Sequence, residues 1–272
     1  MSRSLRRFAI ALAILLISSA ALPARAQLSQ LDQIQVAPPM RQVQPPSPTA
    51  TAKELERQAD QLRSQKAYLD AIDYFEAAIK KDPNNATLYN KIGISELMVQ
   101  RFREAGKHFE TAIKKDRKLA EAYNNLGVVN YERKKYRGAI KHYKKALEID
   151  PDSASFHSNL GAAYFAQKKF EQATKEYAEA VKLDPEIFEH SSRMGVTAQM
   201  SSPQDRAHYS YVLAKLYAKM GDSDRSLQYL RKAMEEGYKK VDDAYKDPEF
   251  AELRKDARFT ELMKERPPAL PE

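Results

Sequence analysis

An all-α fold, a solenoid of stacked helix hairpins, is predicted by three observations. Ala71, Ala105, Ala139 and Ala173 stand 34 residues apart, and so do Ala78, Ala112, Ala146 and Ala180. The aromatic set Phe75, Phe109, Tyr143 and Tyr177 keeps the same spacing, as does the set Gly93, Gly127 and Gly161, each glycine preceded by Ile or Leu. Pro83, Pro151 and Pro185 close three of the four units, with Arg117 where the remaining proline would stand. A repeat of this length built from small and aromatic residues marks one supersecondary unit per period.

Composition agrees with that reading. The 272 residues are 43% hydrophobic and 30% charged, with only 8 Gly and no Trp, which is globular and suits helices packed through small contacts. Cysteine is absent, so disulfides and thiolate metal sites are excluded.

In chain order, the first element is an export signal. Arg3, Arg6 and Arg7 precede an apolar run from Phe8 to Leu22, followed by Pro23-Ala24-Arg25-Ala26-Gln27. A basic start, an apolar centre and small residues before the cut describe a secretory signal peptide over residues 1–26. The competing reading is a retained anchor, but the run is shorter than the roughly 20 residues of a spanning helix. No Cys follows it, so a lipoprotein anchor is not expected. The expected location is outside the cytoplasm, in a bacterial periplasm or secreted. These residues hold four Arg and no acid, half of the formal net charge of +8. The basic balance is therefore no nucleic-acid footprint, and no nucleic-acid partner is expected.

Residues 27–51 hold Pro38, Pro39, Pro45, Pro46 and Pro48. Proline removes backbone donors and holds its predecessor extended, so this stretch is expected to be a flexible linker; a proline-rich ligand is the second reading. Four repeats follow, 52–85, 86–119, 120–153 and 154–187. Each holds two helices, roughly 52–65 and 67–81 in the first. Glycine and alanine let the helix backbones approach, the rings fill the space between hairpins, and proline stops the second helix. One hairpin cannot bury its apolar side alone, so the units must stack.

Residues 188–202 break the period and are expected to form an irregular insertion. Ser202-Pro203-Gln204-Asp205 reads as a helix start. It opens a fifth hairpin with Leu213, Ala214, Tyr217, Leu230 and Ala233 in register and Ser226 in place of Ala. The rest of the segment 203–272 contains two short stretches, Asp247 to Leu253 and Asp256 to Leu262. Each starts on a capping Asp and carries Phe and Leu three apart, as helices closing the end of a solenoid would.

These features resemble the tetratricopeptide-repeat family: the period of 34 and the Leu-Gly, Tyr/Phe, Ala and Pro pattern all match, best in 86–119, 120–153 and 154–187. In the first repeat Ala59 stands for the usual Gly and Leu62 for the usual aromatic. The resemblance implies a right-handed superhelical solenoid with C-terminal capping helices, whose first helices line a concave groove. It assigns three registers to that groove: Asp60, Ile94, Val128 and Ala162; Arg63, Leu97, Tyr131 and Phe165; and Asn90, Asn124 and Ser158, with Glu56 in the first unit. Apolar side chains beside amides suit an extended peptide or a partner helix. The bland reading of each is packing against the neighbouring helix.

Asn125 and Asn159 resemble the asparagine ladder of O-linked N-acetylglucosamine transferases, where such side chains hold peptide backbone, although Arg57 and Lys91 interrupt it. The carboxylate clamp of chaperone adaptors is not matched. Asn90, Ile94, Ser155 and Asn159 occupy four of its positions where Lys, Asn, Lys and Arg would be required, so capture of an acidic tail is not expected.

No catalytic constellation is present. His108 and His142 share one register on second helices, and His190 and His208 have no metal-ligand spacing. Neither a phosphate-binding glycine loop nor a serine elbow occurs. The expectation is a non-enzymatic scaffold with no cofactor and no metal, binding a protein or peptide in the groove. The alternatives are a polyanion- or membrane-surface-binding protein that uses its lysine-rich edges, and an accessory module of an envelope enzyme complex. Lysine pairs such as Lys134-Lys135 and Lys168-Lys169 otherwise read as solvated helix ends.

Overall fold

Ten helices form five consecutive hairpins. The computed structural model describes residues 43–188 and 202–269; the export signal and nearly all of the 188–202 insertion lie outside them. The hairpins are α1 Ala52–Ser64 with α2 Tyr68–Lys81, α3 Ala86–Met98 with α4 Phe102–Lys115, α5 Ala120–Glu132 with α6 Tyr136–Ile149, α7 Ala154–Ala166 with α8 Phe170–Leu183, and α9 Pro203–Lys219 with α10 Ser223–Glu235. Among the described residues there is no strand.

All eight period-setting alanines are fully buried. The ring that shares their helix lies directly against the small residue of the first helix: Phe109 on Gly93, Tyr143 on Gly127, Tyr177 on Gly161. Glycine is needed there because a Cβ on Gly127 would lie 2.5 Å from the Tyr143 ring. Ser226, in the alanine register of the fifth hairpin, is buried, and its hydroxyl donates to the Ala214 carbonyl at 2.8 Å. That bond removes the penalty of an unpaired buried hydroxyl.

Helix starts follow ordinary capping chemistry where the sequence provides it. Thr51 and Glu54 make a reciprocal capping box on α1, Asn85 caps α3, Ser202 caps α9 and Asp222 caps α10. Each satisfies first-turn N–H groups that have no partner inside the helix.

Two expectations change. The linker is not wholly free of the first repeat: the Tyr74 hydroxyl donates to the Gln44 carbonyl at 3.0 Å, and Lys81 Nζ to the Pro48 carbonyl at 2.8 Å. Residues 44–50 therefore run along α2. Proline carbonyls remain good acceptors, and α2 presents the donors. At the C-terminus, the segment from Asp247 forms 3-10 turns, Pro248–Phe250 and Leu253–Lys255, after a first at Val241–Tyr245. Asp247 does not cap; its carboxylate takes the Tyr211 hydroxyl at 2.9 Å and Lys215 at 3.0 Å. Asp256 does cap, starting α11 at Ala257–Glu265. Phe250, Leu253, Phe259 and Leu262 are all buried, closing the last hairpin.

Candidate functional site

The first helices α1, α3, α5 and α7 lie side by side, tied by one repeated contact. Lys91 Nζ donates to Glu56 at 2.6 Å, Asn125 Nδ2 to Asn90 Oδ1 at 3.0 Å, and Asn159 Nδ2 to Asn124 Oδ1 at 2.9 Å. The partners in each pair are 35 residues apart, so one register on each helix reaches back to the helix before it. Lys91 also bonds Asp60 at 2.5 Å, which in turn holds Arg63 at 3.2 Å. This corrects the ladder expectation: Asn125 and Asn159 are buried, and their amides join helix to helix. A buried amide needs a partner in the fold, and the neighbouring helix offers one at every step.

The remaining groove residues are largely enclosed as well. Ile94 is half-buried, while Asn90, Leu97, Val128, Ser158 and Ala162 are buried. Tyr131 is buried and packs edge-on against Tyr136, with ring centres 5.3 Å apart. Phe165 is 2% exposed and meets Phe170, His208 and Tyr209 at 5.2, 5.3 and 5.9 Å. Phe165 therefore belongs to the contact between α7 and α9, as a phenyl ring gains most where it touches rings on several sides.

That contact marks a change of geometry. Regular units are joined by four-residue loops such as 82–85, whereas α8 and α9 are joined by residues 184–202. The start of α9 lies across the end of the fourth repeat, with Tyr209 against Tyr177 at 5.4 Å. A cleft of about 1140 Å³ opens between α8 and α9, beside a second of about 960 Å³. Phe170, His208 and Tyr238 line both. His208 lies 4.3 Å from Phe170 and stacks on Tyr238 at 5.5 Å, and Tyr238 stacks on Tyr211 at 4.4 Å. Beyond the rings stand Lys215, Asp247 and Glu249, with Lys215 bridging both carboxylates.

Burial pushes the His208 pKa below its ordinary value, so the imidazole is neutral at pH 7 and stacks without charge. Burial, with help from Asp243, pushes the Tyr238 phenol up to about 12. Phe170, His208, Tyr211 and Tyr238 thus form one part of the larger cleft, and the rest of its wall is largely charged and polar, with Glu171, Lys175, Glu179 and Lys219 besides Lys215, Asp247 and Glu249. Apart from noting His208 beside the insertion, the sequence reading missed this site. Its only sequence signal is the lost period at 188–202, because the rings converge from separate elements.

The sequence comparisons fit this architecture. The TPR repeat family matches residues 129–168, and the tetratricopeptide repeat family matches 154–187 and again 207–236. The chain is a tetratricopeptide-repeat protein. The third match falls on the fifth hairpin, so α9 and α10 are a repeat despite their altered setting. No curated protein matches the sequence.

Among solved structures, this tetratricopeptide-repeat protein is similar to MamA from residue 41 onward of Desulfovibrio magneticus RS-1. That likeness has a TM-score of 0.50 and 18% identity over 70% of this chain and 96% of that one, and it concerns the fold alone. YrrB, described as a TPR protein with an unusual peptide-binding site, aligns with a TM-score of 0.47 and 19% identity, over 72% of this chain and 92% of that one. The TPR protein TTC0263 of Thermus thermophilus aligns with a TM-score of 0.48 and 22% identity, over 71% and 94%. Among the described residues no group of acidic or histidine side chains is placed to hold a metal ion, and no helix is long and apolar enough to cross a membrane.

Proposed function

We propose that this protein is a non-catalytic interaction scaffold outside the cytoplasm that holds an extended segment of a partner protein. The cleft between α8 and α9 is the subsite, since the groove residues of the first helices are largely enclosed and their amides bond to one another. The observation that carries this reading is the cleft of about 1140 Å³ with the rings of Phe170, His208, Tyr211 and Tyr238 along one part of it. It is a concave site in which stacked rings stand beside charged side chains that can orient a bound segment. Stacked rings give area at low entropic cost, and such residues dominate binding energy where they are desolvated. Lys215, Asp247 and Glu249 can pair with either end of a partner's backbone or with its charged side chains. An apolar or aromatic side chain of the partner is the natural anchor between Phe170 and Tyr238.

The test has two parts. Partners are crosslinked to the protein in the exporting host, through a photoreactive residue at position 238, and identified. Binding of the identified segment is then compared for wild type and Tyr238→Ala. A loss of at least tenfold, with melting unchanged within a few degrees and weak dependence on salt, supports the cleft. Unchanged binding by Tyr238→Ala removes it as the subsite. Binding that collapses with ionic strength favours the polyanion reading instead. Export is tested on the same material by intact mass, where an N-terminus at Gln27 is expected and retention of Met1 overturns cleavage.

A further inference from the structure

The turns between first and second helices in repeats one to four all fall on one side of the stack, because the first helices run parallel and in register. Those turns are Ser64–Tyr68, Met98–Phe102, Glu132–Tyr136 and Ala166–Phe170. Together they hold seven cations and one acid, Glu132. The turns on the opposite side, bounded in the same way as Lys81–Ala86, Lys115–Ala120 and Ile149–Ala154, hold four acids and four cations. The stack therefore has a basic side and an opposite side whose turns are balanced in charge.

The cations are placed against local backbone preference. Lys66, Lys134 and Lys168 adopt φ of 63°, 57° and 59°, a left-handed conformation that glycine takes without steric cost. The next residue is the N-cap of the second helix, and there Arg101, Lys135 and Lys169 provide no capping side chain. A cation at this end also opposes the helix dipole. The fifth hairpin solves the same turn in the ordinary way, with Gly221 left-handed and Asp222 capping Arg225 N at 3.0 Å. Among the described residues, no carboxylate pairs with the seven turn cations, and Lys169 lies over the Tyr164 ring. All seven are exposed, and the ring that follows in each turn, Tyr68, Phe102, Tyr136 or Phe170, is half-buried. The C-terminus of each first helix favours one cation in its turn, but among the described residues no ion pair holds these charges. Sequences that break local rules at several equivalent places do so at functional surfaces.

We propose that this basic side is a docking surface for an anionic phospholipid bilayer, on which the protein lies without spanning. Turns repeated along one side of the stack present their charges together, which suits a surface of many phosphates. Cations with half-buried rings directly behind them match the headgroup level of a bilayer, where aromatic and basic side chains partition together. A single-stranded nucleic acid would instead need rings open enough for bases to stack on. The surface shares Lys168 and Phe170 with the α8–α9 clefts but its other turns lie apart from them, so vesicle binding is read separately from partner binding.

The test copies the fifth hairpin's solution into two other turns. The variant Lys134→Gly, Lys135→Asp, Lys168→Gly, Lys169→Asp is expected to melt at or above wild type. Its binding to vesicles of equimolar phosphatidylglycerol and phosphatidylcholine should fall at least tenfold. Wild type should bind those vesicles far better than pure phosphatidylcholine and lose the difference in high salt. Every variant keeps the same N-terminus, so the apolar run at residues 8–22 contributes equally throughout. The control Lys114→Gln, Lys118→Gln, with exposed lysines near the opposite loops, should bind as wild type does. The proposal is overturned if the four-residue variant binds undiminished, if the control loses as much, or if wild type ignores anionic vesicles and binds single-stranded DNA.

Discussion

Tyr143 covers Gly127 so closely that a Cβ built on the glycine would sit 2.5 Å from the ring carbon Cε1. The same pairing recurs as Phe109 on Gly93 and Tyr177 on Gly161, so the 34-residue period is in effect a period of glycine–ring contacts.

Gly127→Ala should therefore destabilise the protein, although alanine is the better helix former. The propensity gain is about 1 kcal/mol, while forcing a methyl into a packed contact costs about 1–3 kcal/mol. The ring is fully buried and has nowhere to retreat, so a net loss of up to about 2 kcal/mol is expected. Denaturant unfolding measures it, and a stability equal to or above wild type would show that the ring yields.

Tyr143→Phe should have the opposite effect. The Tyr143 and Tyr177 hydroxyls are buried and meet no partner among the described residues, and burial drives both phenol pKa values well above the ordinary value. The equivalent positions in the first two repeats are Phe75 and Phe109, so the site accommodates a phenyl ring. Removing an unsatisfied hydroxyl is worth about 1–3 kcal/mol at most, and a raised melting temperature is the expected readout. A lower one would mean that the hydroxyl has a bond after all.

His157 should titrate above the ordinary histidine range. Its Nδ1 lies 2.8 Å from Glu176 and its Nε2 lies 3.0 Å from the Pro151 carbonyl. Only the imidazolium can donate to both. The Glu176 bond is the main cause of the raised pKa, partly opposed by burial and aided by Pro151. A pKa raised by folding stabilises fully below the unfolded value, and that stabilisation fades as pH rises through the folded value. The stability gap between wild type and His157→Gln should thus be widest below about pH 6.5 and shrink above it. Proton NMR should also place His157 above His142 and His208, both lowered chiefly by burial. The reverse order would contradict the two-acceptor geometry.

Replacing Tyr131 and Phe165 together with Ala should unfold the protein or lower its melting point steeply. Truncating a buried ring costs about 3–5 kcal/mol, and Phe165 also links α7 to α9 through His208 and Tyr209. A near-normal melt combined with lost partner binding would return both residues to the groove wall.

Much of the fold was legible because a 34-residue repeat states the same packing problem four times. The eight alanines, the glycines and the rings each name one contact, and repetition separates them from chance. The site was less legible. Asn90 and Asn125 look alike in sequence whether they hold a peptide or each other, since an amide has the same donors and acceptors in both roles. Phe165 and Tyr131 share a register with Leu97, yet Phe165 packs on His208 and Tyr209 of α9 while Tyr131 packs on Tyr136 of α6, because the neighbouring helix differs at each step.

The sequence by itself determined the helices, the number of hairpins, the small-on-ring stacking and the capped helix starts, since these depend on residues within one period or on immediate neighbours. It also placed cations at the four turns, without revealing that they share a side. The tertiary structure alone decided that the Asn and Lys91 registers tie successive helices. It also decided that Asp247 serves Tyr211 and Lys215 and that α9 turns across the fourth repeat to open a cleft lined in part by rings. The physical reason is range: periodic contacts repeat a local rule, whereas the cleft is assembled from α8, α9 and the turns after α10, whose meeting is set only by how the whole stack closes.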